Sequence, residues 1–238
     1  MDKQQIIDNY HIMLDRIQQA EKSGHREPGS VRMVVVTKTF PIEVIRTLVM
    51  AGVQYIGESY FEEAKDKIEV LGDLPGLEWH MVGHVQSRKG KGVCQLFDYI
   101  HSLDSIKLAQ IINTQMAMRG SRMPVLLECN VSGEDSKFGF PAWKDEQWPL
   151  LADLVKQILP LPHINVQGLM TVAPLMENRE ASRPFFNRLR QLRGYLQNQI
   201  PVNKFPELSM GMSADFEVAI QEGATWIRIG QAILGPRQ

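Results

Sequence analysis

The sequence predicts a (β/α)8 barrel, an α/β fold of TIM-barrel type in which eight parallel strands alternate with helices. Short apolar segments rich in β-branched residues recur along the chain, and each one after the first follows a helical segment. No run of strands alone interrupts this alternation, which is typical of parallel βαβ units. Eight such units favour closure into a barrel. The lack of linkers and low-complexity tracts predicts a single domain over 1–238.

The predicted elements follow one another in regular order. An additional N-terminal helix over 2–21 places Ile6, Tyr10 and Met13 on one face. The predicted strands cover 33–36, 53–57, 78–83, 98–103, 123–131, 164–171, 207–210 and 225–229. The predicted helices between them cover 42–51, 60–71, 86–97, 105–118, 145–158, 179–198 and 214–222. An open doubly wound sheet is the alternative fold, but no G-x-G-x-x-G motif follows the first predicted strand.

The composition indicates a globular protein with a sizeable core. Hydrophobic residues make up 44% of the 238 residues and charged residues 22%, and the formal net charge is −1. This balance favours neither a nucleic-acid nor a membrane-surface partner. Cys94 and Cys129 lie in different predicted elements, so we expect reduced thiols. The N-terminus is too polar for a signal peptide and no segment is long enough to span a membrane, so we expect a cytoplasmic protein.

The segment 31–41 (VRMVVVTKTFP) places a lysine at a strand end. A continuous apolar run ends at Thr37, Lys38 follows, and Pro41 suits the first turn of the next helix. In a parallel barrel, ligands bind at the carboxyl ends of the strands. Lys38 therefore has two interpretations: a solvated surface charge, or an amine that forms a Schiff base with a carbonyl group.

Two glycine-containing segments follow the seventh and eighth predicted strands. Residues 208–215 (LSMGMSAD) contain Gly211 and Ser213, and residues 226–235 (WIRIGQAILG) contain Gly230. Barrel enzymes often bind phosphate at these two loops, where backbone N–H groups and small hydroxyl residues contact the oxygens. Each glycine alone is equally compatible with a simple turn, but their occurrence at both loops favours a phosphate site.

Arg228 lies between two isoleucines inside the last predicted strand. Strand alternation directs its side chain away from its apolar neighbours. An arginine that points into the barrel needs a partner, because an unpaired buried charge is costly. The alternatives to a ligand contact are a structural ion pair and an outward-facing arginine. An aldehyde for Lys38, a phosphate for the two loops and a polar ring atom for Arg228 together describe pyridoxal 5′-phosphate (PLP).

Seven motifs spread over nearly the whole chain resemble the pyridoxal phosphate homeostasis family. In order they are VVVTKTFP, YIGESYFEEAKDK, LEWHMVGHVQSRK, NVSGEDSKFGF, VQGLMTVAP, LSMGMSADFEVAI and WIRIGQAILG. The resemblance implies a barrel like the N-terminal domain of alanine racemase, a reversible Schiff base on Lys38, and Arg228 near the pyridine nitrogen. For the phosphate, the resemblance implies Met212, Ser213, Gly230 and Gln231.

Two positions depart from the family pattern. Ser59 stands where the family usually has asparagine, and its shorter side chain makes it an uncertain ligand. Arg88 also replaces an asparagine and keeps its segment basic. His80 either faces the cofactor or is a satisfied core histidine, and Lys137 is a candidate for transient uptake of the aldehyde.

The resemblance implies a protein of PLP (vitamin B6) homeostasis without established catalytic turnover. The alternative is a racemase-like PLP enzyme, but such chemistry needs a second base opposite the lysine. In the resembling racemases another domain supplies that base, and the sequence shows no clear substitute. A third possibility is a regulatory protein whose ligand only signals. We expect a monomer whose partners are PLP and PLP-dependent apo-enzymes.

Overall fold

The computed structural model describes residues 2–72, 74 and 76–236, and it confirms a closed parallel barrel. Every predicted strand is present at its predicted position. The strands are β1 (Arg32–Val36), β2 (Tyr55–Glu58), β3 (Glu78–Met81), β4 (Tyr99–Leu103), β5 (Met123–Asn130), β6 (Phe140–Pro141), β7 (Ile164–Met170), β8 (Glu207–Ser209) and β9 (Trp226–Ile229). The order around the barrel is β4-β3-β2-β1-β9-β8-β7-β5, and pairing of β4 with β5 closes it.

Helices surround the barrel on its outer side. Within the described ranges they are α1 (Lys3–Ser23), α2 (Ile42–Met50), α3 (Phe61–Leu71), α4 (Gly90–Leu96), α5 (Ile106–Met118), α6 (Trp148–Ile158), α7 (Arg183–Gln199), α8 (Phe216–Gln221) and α9 (Gln231–Leu234). The additional N-terminal helix α1 packs against α2, α8 and α9. Its first turn is capped by Asp2, whose carboxylate accepts a hydrogen bond of 2.8 Å from the Gln5 N–H.

The structure differs from the predicted elements at a few points. Residues 87–89, 145–147 and 179–182 form single 3-10 turns that precede α4, α6 and α7 rather than belonging to them. The third strand ends at Met81, two residues before its predicted end. The short strand β6 pairs with β5 outside the barrel, and at two residues it is too short to produce a periodic pattern. No helix of the described residues is both long and apolar enough to cross a membrane.

The strands separate two apolar clusters. The larger cluster fills the layer between strands and helices, and the smaller one lies inside the barrel. The inner cluster comprises Val34, Tyr99, Leu126, Met170 and Trp226. At the amino ends of the strands, Arg32 pairs with Glu207 and lies 3.8 Å from the centre of the Trp226 ring. Side chains therefore fill the lower barrel, and the upper end, at the carboxyl ends of the strands, is the open one.

Candidate cofactor site

A cavity of about 690 Å³ opens at the carboxyl ends of the strands, and Lys38 lines it. The cavity extends over the segments that follow β2 and β3, and Glu128 of β5 also contributes to its wall. Lys38 is half-buried, and its ammonium nitrogen lies 5.7 Å from the centre of the Tyr60 ring. The structure thus places the predicted Schiff-base lysine in a cavity rather than on an open surface.

The backbone that carries Lys38 is held by a buried network. The Thr37 hydroxyl donates a hydrogen bond of 2.6 Å to the Glu58 carboxylate. The ammonium of Lys67, on α3, donates to the Thr37 carbonyl at 2.8 Å and to Glu58 at 2.7 Å. Lys67 also pairs with Glu63 at 2.6 Å, and Glu63 accepts a bond from the Thr39 N–H. Residues on both sides of Lys38 are therefore fixed to β2 and α3.

The predicted phosphate residues converge between β8 and β9. The Ser213 hydroxyl accepts a hydrogen bond of 3.1 Å from the Ala232 N–H, in the first turn of α9. Gly230 and Gln231 line a smaller cavity of about 230 Å³ beside Val36. A side chain at Gly230 would place its Cβ 3.1 Å from the Val36 carbonyl oxygen, so the Val36 backbone would have to shift by a few tenths of an ångström to accept it.

Met212 lies in the same turn, but its amide already has a partner. The Met212 N–H donates a hydrogen bond of 2.7 Å to the Asp215 carboxylate. Gly211, just before it, has φ = +93°, and a Cβ there would lie 2.6 Å from the Ala219 side chain. The structure thus gives Met212 a role in shaping the turn that presents Ser213.

Arg228 points into the barrel, so the structure excludes the outward-facing alternative that strand alternation left open. It is 5% exposed, and it donates hydrogen bonds to the Ser209 hydroxyl at 2.6 Å and to the Thr171 carbonyl at 2.8 Å. Burial lowers the pKa of the Arg228 guanidinium to about 10, and the nearby Glu128 opposes this shift. These two acceptors fix the plane of the guanidinium inside the barrel.

His80 lies below Arg228 as part of a buried chain of polar side chains. Its Nδ1 is 2.9 Å from His101 Nε2, and His101 Nδ1 is 2.9 Å from the Ser209 hydroxyl. Burial lowers the pKa of both imidazoles, which keeps them neutral. Of the two interpretations of His80, the structure supports a core position, because Nδ1 contacts His101 and the residue does not line the Lys38 cavity. The histidine is only half satisfied, since its buried Nε2 has no hydrogen-bond partner among the described residues.

Glu128 is a site residue that the sequence reasoning missed. It is 8% exposed, its Oε2 has no hydrogen-bond partner among the described residues, and burial raises its pKa to about 7. The signal was a single acidic residue within the apolar run MPVLLECNV. The sequence predicts the rim of this strand at Asn130–Ser132, and Glu128 lies two residues before it.

Other side chains at the rim are already paired. His84 Nδ1 lies 2.8 Å from the Asp104 carboxylate, and its ring stacks on Phe138 at 3.7 Å. The Lys137 ammonium contacts the Val172 carbonyl at 3.0 Å and Glu134 at 2.5 Å. Ser59, the first departure from the family pattern, lines the Lys38 cavity, as does Arg88.

The residues present fit the group that the sequence predicts. One rim holds an amine for an aldehyde, a buried guanidinium for a ring nitrogen, and a hydroxyl with a glycine-lined turn for a phosphate. The close backbone approach at Gly230 and the cavity beside Lys38 provide space for the cofactor at this rim.

Comparison with known proteins identifies the family. Residues 10–238 match the family described as "Alanine racemase, N-terminal domain". A relative from Aquifex aeolicus named "Pyridoxal phosphate homeostasis protein" is 41% identical over 95% of this chain and 96% of its own length. A relative of the same name from Pseudomonas aeruginosa is 39% identical over 98% of this chain and 96% of its own length.

Solved structures agree with this assignment. PipY of Synechococcus elongatus, solved with PLP bound, is 33% identical and superposes with a TM-score of 0.79, covering 92% of this chain and 100% of PipY. Alanine racemase from Bartonella henselae is 14% identical with a TM-score of 0.70, and this likeness concerns the fold alone; the match covers 100% of this chain and 60% of the racemase. The chain therefore belongs to the family of pyridoxal phosphate homeostasis proteins.

Proposed function

We propose that the protein binds PLP through a reversible Schiff base on Lys38 and serves intracellular PLP homeostasis without catalytic turnover of its own. The observation that carries this proposal is the convergence of three groups at one barrel rim. Lys38 lies in the larger cavity, Arg228 is held inside the barrel, and Ser213 and Gly230 lie in the segments that follow β8 and β9.

Each of these residues has a separate role in binding. Lys38 supplies the amine, and its backbone is fixed through Thr37 and Lys67. Arg228 directs a charged donor toward the ring nitrogen, since its other N–H groups are held by Ser209 and Thr171. When bound, PLP supplies an aldehyde that condenses with an amine and a ring that withdraws electrons from it.

The phosphate end is proposed to lie at Ser213, Gly230 and Gln231. A hydroxyl and closely spaced backbone N–H groups at a glycine turn are suited to phosphate oxygens. Met212 contributes by shaping the turn, because its amide is bonded to Asp215. Ser213 already contacts the first turn of α9, so a bound phosphate would link the ends of β8 and β9.

The direct test is the visible absorption of the purified protein with PLP before and after borohydride reduction, followed by mapping of the modified peptide. We expect a Schiff-base absorption that reduction removes and a modification at Lys38. Modification of another lysine, or an unchanged spectrum, would overturn the assignment. The Ser121→Ala variant, which changes an exposed hydroxyl away from the site, is the control.

A second candidate function is a racemase-like PLP enzyme, and Glu128 favours it. The sequence shows no second base, but the structure places a buried carboxyl group in the Lys38 cavity. Incubation of the PLP-loaded protein with single L-amino acids, followed by measurement of the D-isomers, separates the two candidates. Sustained formation of a D-isomer would show that the protein is a racemase and would contradict the non-catalytic carrier role.

The proposed setting is the cytoplasm, where the protein acts as a monomer that exchanges PLP with apo-enzymes. Both cysteines are buried and free, which suits a reducing compartment. Light scattering of the purified protein tests whether it is a monomer.

Transfer to apo-enzymes is tested by mixing the PLP-loaded protein with an apo-enzyme in the presence of a reagent that captures free aldehyde, and measuring the enzyme activity that is recovered. Recovery no faster than from free PLP would contradict direct transfer.

A further inference from the structure

Glu128 has an environment that differs from those of the paired charges around it. Its side chain lines the same cavity as Lys38, and it lies two residues before the carboxyl end of β5. Leu126, two residues earlier, belongs to the cluster inside the barrel, so strand alternation also directs Glu128 inward. One of its carboxyl oxygens is fully buried and has no hydrogen-bond partner among the described residues.

The titratable groups that act on Glu128 come from other segments around the barrel. Asp104 follows β4 and raises the Glu128 pKa by its negative charge, while Arg228 on β9 lowers it. Asp104 is itself paired with His84. Lys38, after β1, lines the same cavity. On β7, the residue in register with Glu128 is Met170, which carries no charge. Burial outweighs Arg228, so the carboxyl exchanges its proton near neutral pH, at a pKa of about 7.

Such a group matches a requirement of the proposed binding reaction. An amine and an aldehyde combine to form a C=N bond, and the carbonyl oxygen leaves as water; no electrons are transferred. The leaving oxygen takes up two protons and the nitrogen gives up two, and hydrolysis reverses both transfers. An acid with a pKa near the working pH can give a proton to the oxygen and regain one from the nitrogen.

We propose that Glu128 is the acid–base residue for formation and hydrolysis of the Lys38 Schiff base, and that it sets the rate at which PLP is loaded and released. This inference rests on the proposed function. It does not require Glu128 to contribute to affinity, because a catalyst accelerates both directions equally. It adds a proton-transfer residue to the proposed binding residues, and this residue lies in the same cavity as Lys38.

The test is stopped-flow absorption with PLP as the probe, measuring loading and release rates of the wild type and the Glu128→Gln variant. We expect Glu128→Gln to slow both rates by about 100-fold and to leave Kd within about twofold. The wild-type loading rate should vary with pH around 7, and the variant should lose this inflection. Glu128→Asp, which keeps a carboxyl group, should restore part of the rate.

Glu134→Gln is the matched control, since it removes an exposed carboxylate from the loop that follows β5. We expect its loading rate to stay within about twofold of wild type. Unchanged loading and release rates in Glu128→Gln would overturn the acid–base role, as would a higher Kd that comes from faster release alone. Neither result would affect the assignment of the Schiff base to Lys38. If the wild type and Lys38→Ala show identical spectra with PLP, the proposed function fails, and the role of Glu128 fails with it.

Discussion

Glu58 and Glu128 are two buried carboxyl groups near the same rim, and their surroundings differ sharply. Glu58 ends β2, is 0% exposed, and accepts hydrogen bonds from Thr37 and Lys67 in the layer between strands and helices. Glu128 is 8% exposed and faces the cavity inside the barrel. Among the described residues, Oε2 has no hydrogen-bond partner in either group, so the difference lies in the two hydrogen bonds that Glu58 Oε1 accepts. Glu58 therefore stabilises the structure around the site, whereas Glu128 is available for proton transfer in the cavity.

Burial raises the pKa of both groups, but opposing contacts differ. For Glu58, the ammonium of Lys67 and the Thr37 hydroxyl work against the rise, so the carboxylate is stabilised by partners within the fold. For Glu128, the charge of Asp104 adds to the effect of burial on the pKa, and the charge of Arg228 opposes it without a hydrogen bond to the carboxyl group. We therefore expect removal of Glu58 contacts to weaken the fold, and removal of the Glu128 charge to strengthen it at high pH.

The largest expected effect on stability comes from Lys67→Met. This change leaves the Glu58 carboxylate buried without its cation, which costs about 3–5 kcal/mol in unfolding free energy. Urea unfolding monitored by circular dichroism measures it. Lys65→Met, on the exposed side of the same helix, is the control and should change the unfolding free energy by less than about 0.5 kcal/mol. A Lys67→Met loss below about 1 kcal/mol would show that Glu58 does not depend on this partner.

Glu128→Gln has the opposite expected sign, with a clear pH dependence. The folded-state pKa of about 7 lies above the ordinary value of 4.5, so the contribution of Glu128 to stability is full below about pH 4.5. That contribution is lost as the pH rises through 7. We expect the variant to match the wild type at pH 4.5 and to exceed its unfolding free energy by about 3 kcal/mol at pH 8.

Unfolding curves of both proteins from pH 4.5 to pH 8 measure this difference, with Glu58→Gln as the comparison. Glu58→Gln leaves Lys67 without its buried carboxylate and should lower stability at pH 8. If the two glutamine variants shifted stability in the same direction, the distinction between the supporting carboxyl and the reactive one would be wrong.

A smaller pair of effects compares two hydroxyl groups of the site. Ser213→Ala removes the acceptor for Ala232 and a proposed phosphate donor, so we expect PLP affinity to fall about tenfold with little change in melting temperature. Thr37→Val removes the donor to Glu58 and should lower the unfolding free energy by about 1–2 kcal/mol. Equilibrium titration and thermal unfolding of both variants separate these roles. Equal losses of affinity and stability in the two variants would contradict the assignment.

The sequence predicted the parts of the molecule that depend on local pattern. The alternation of strands and helices predicted the barrel, which the structure and the family comparison confirm. Alternation within one strand predicted that Arg228 points away from its apolar neighbours but left inward and outward open, and the structure directs it into the barrel. The roles of Lys38, Met212, Ser213, Gly230 and Gln231 toward PLP stay predictions.

The remaining features depend on contacts between distant segments. The ion pair of Lys67 with Glu58 joins a helix to a strand, and no periodicity in the sequence marks it. The chain from His80 through His101 to Ser209 crosses the barrel between three strands. The pKa of Glu128 depends on burial and on two charges from other strands. These properties follow from closure of the barrel and not from any single segment.

The most direct measurement is the visible absorption spectrum of Lys38→Ala and wild-type protein, each purified and titrated with PLP. We predict a Schiff-base absorption in the wild type that borohydride removes, with the label on Lys38, and no such absorption in the variant. Circular dichroism should show the same fold for both proteins. An equal Schiff-base absorption in Lys38→Ala would contradict the central claim, because another amine would then hold PLP.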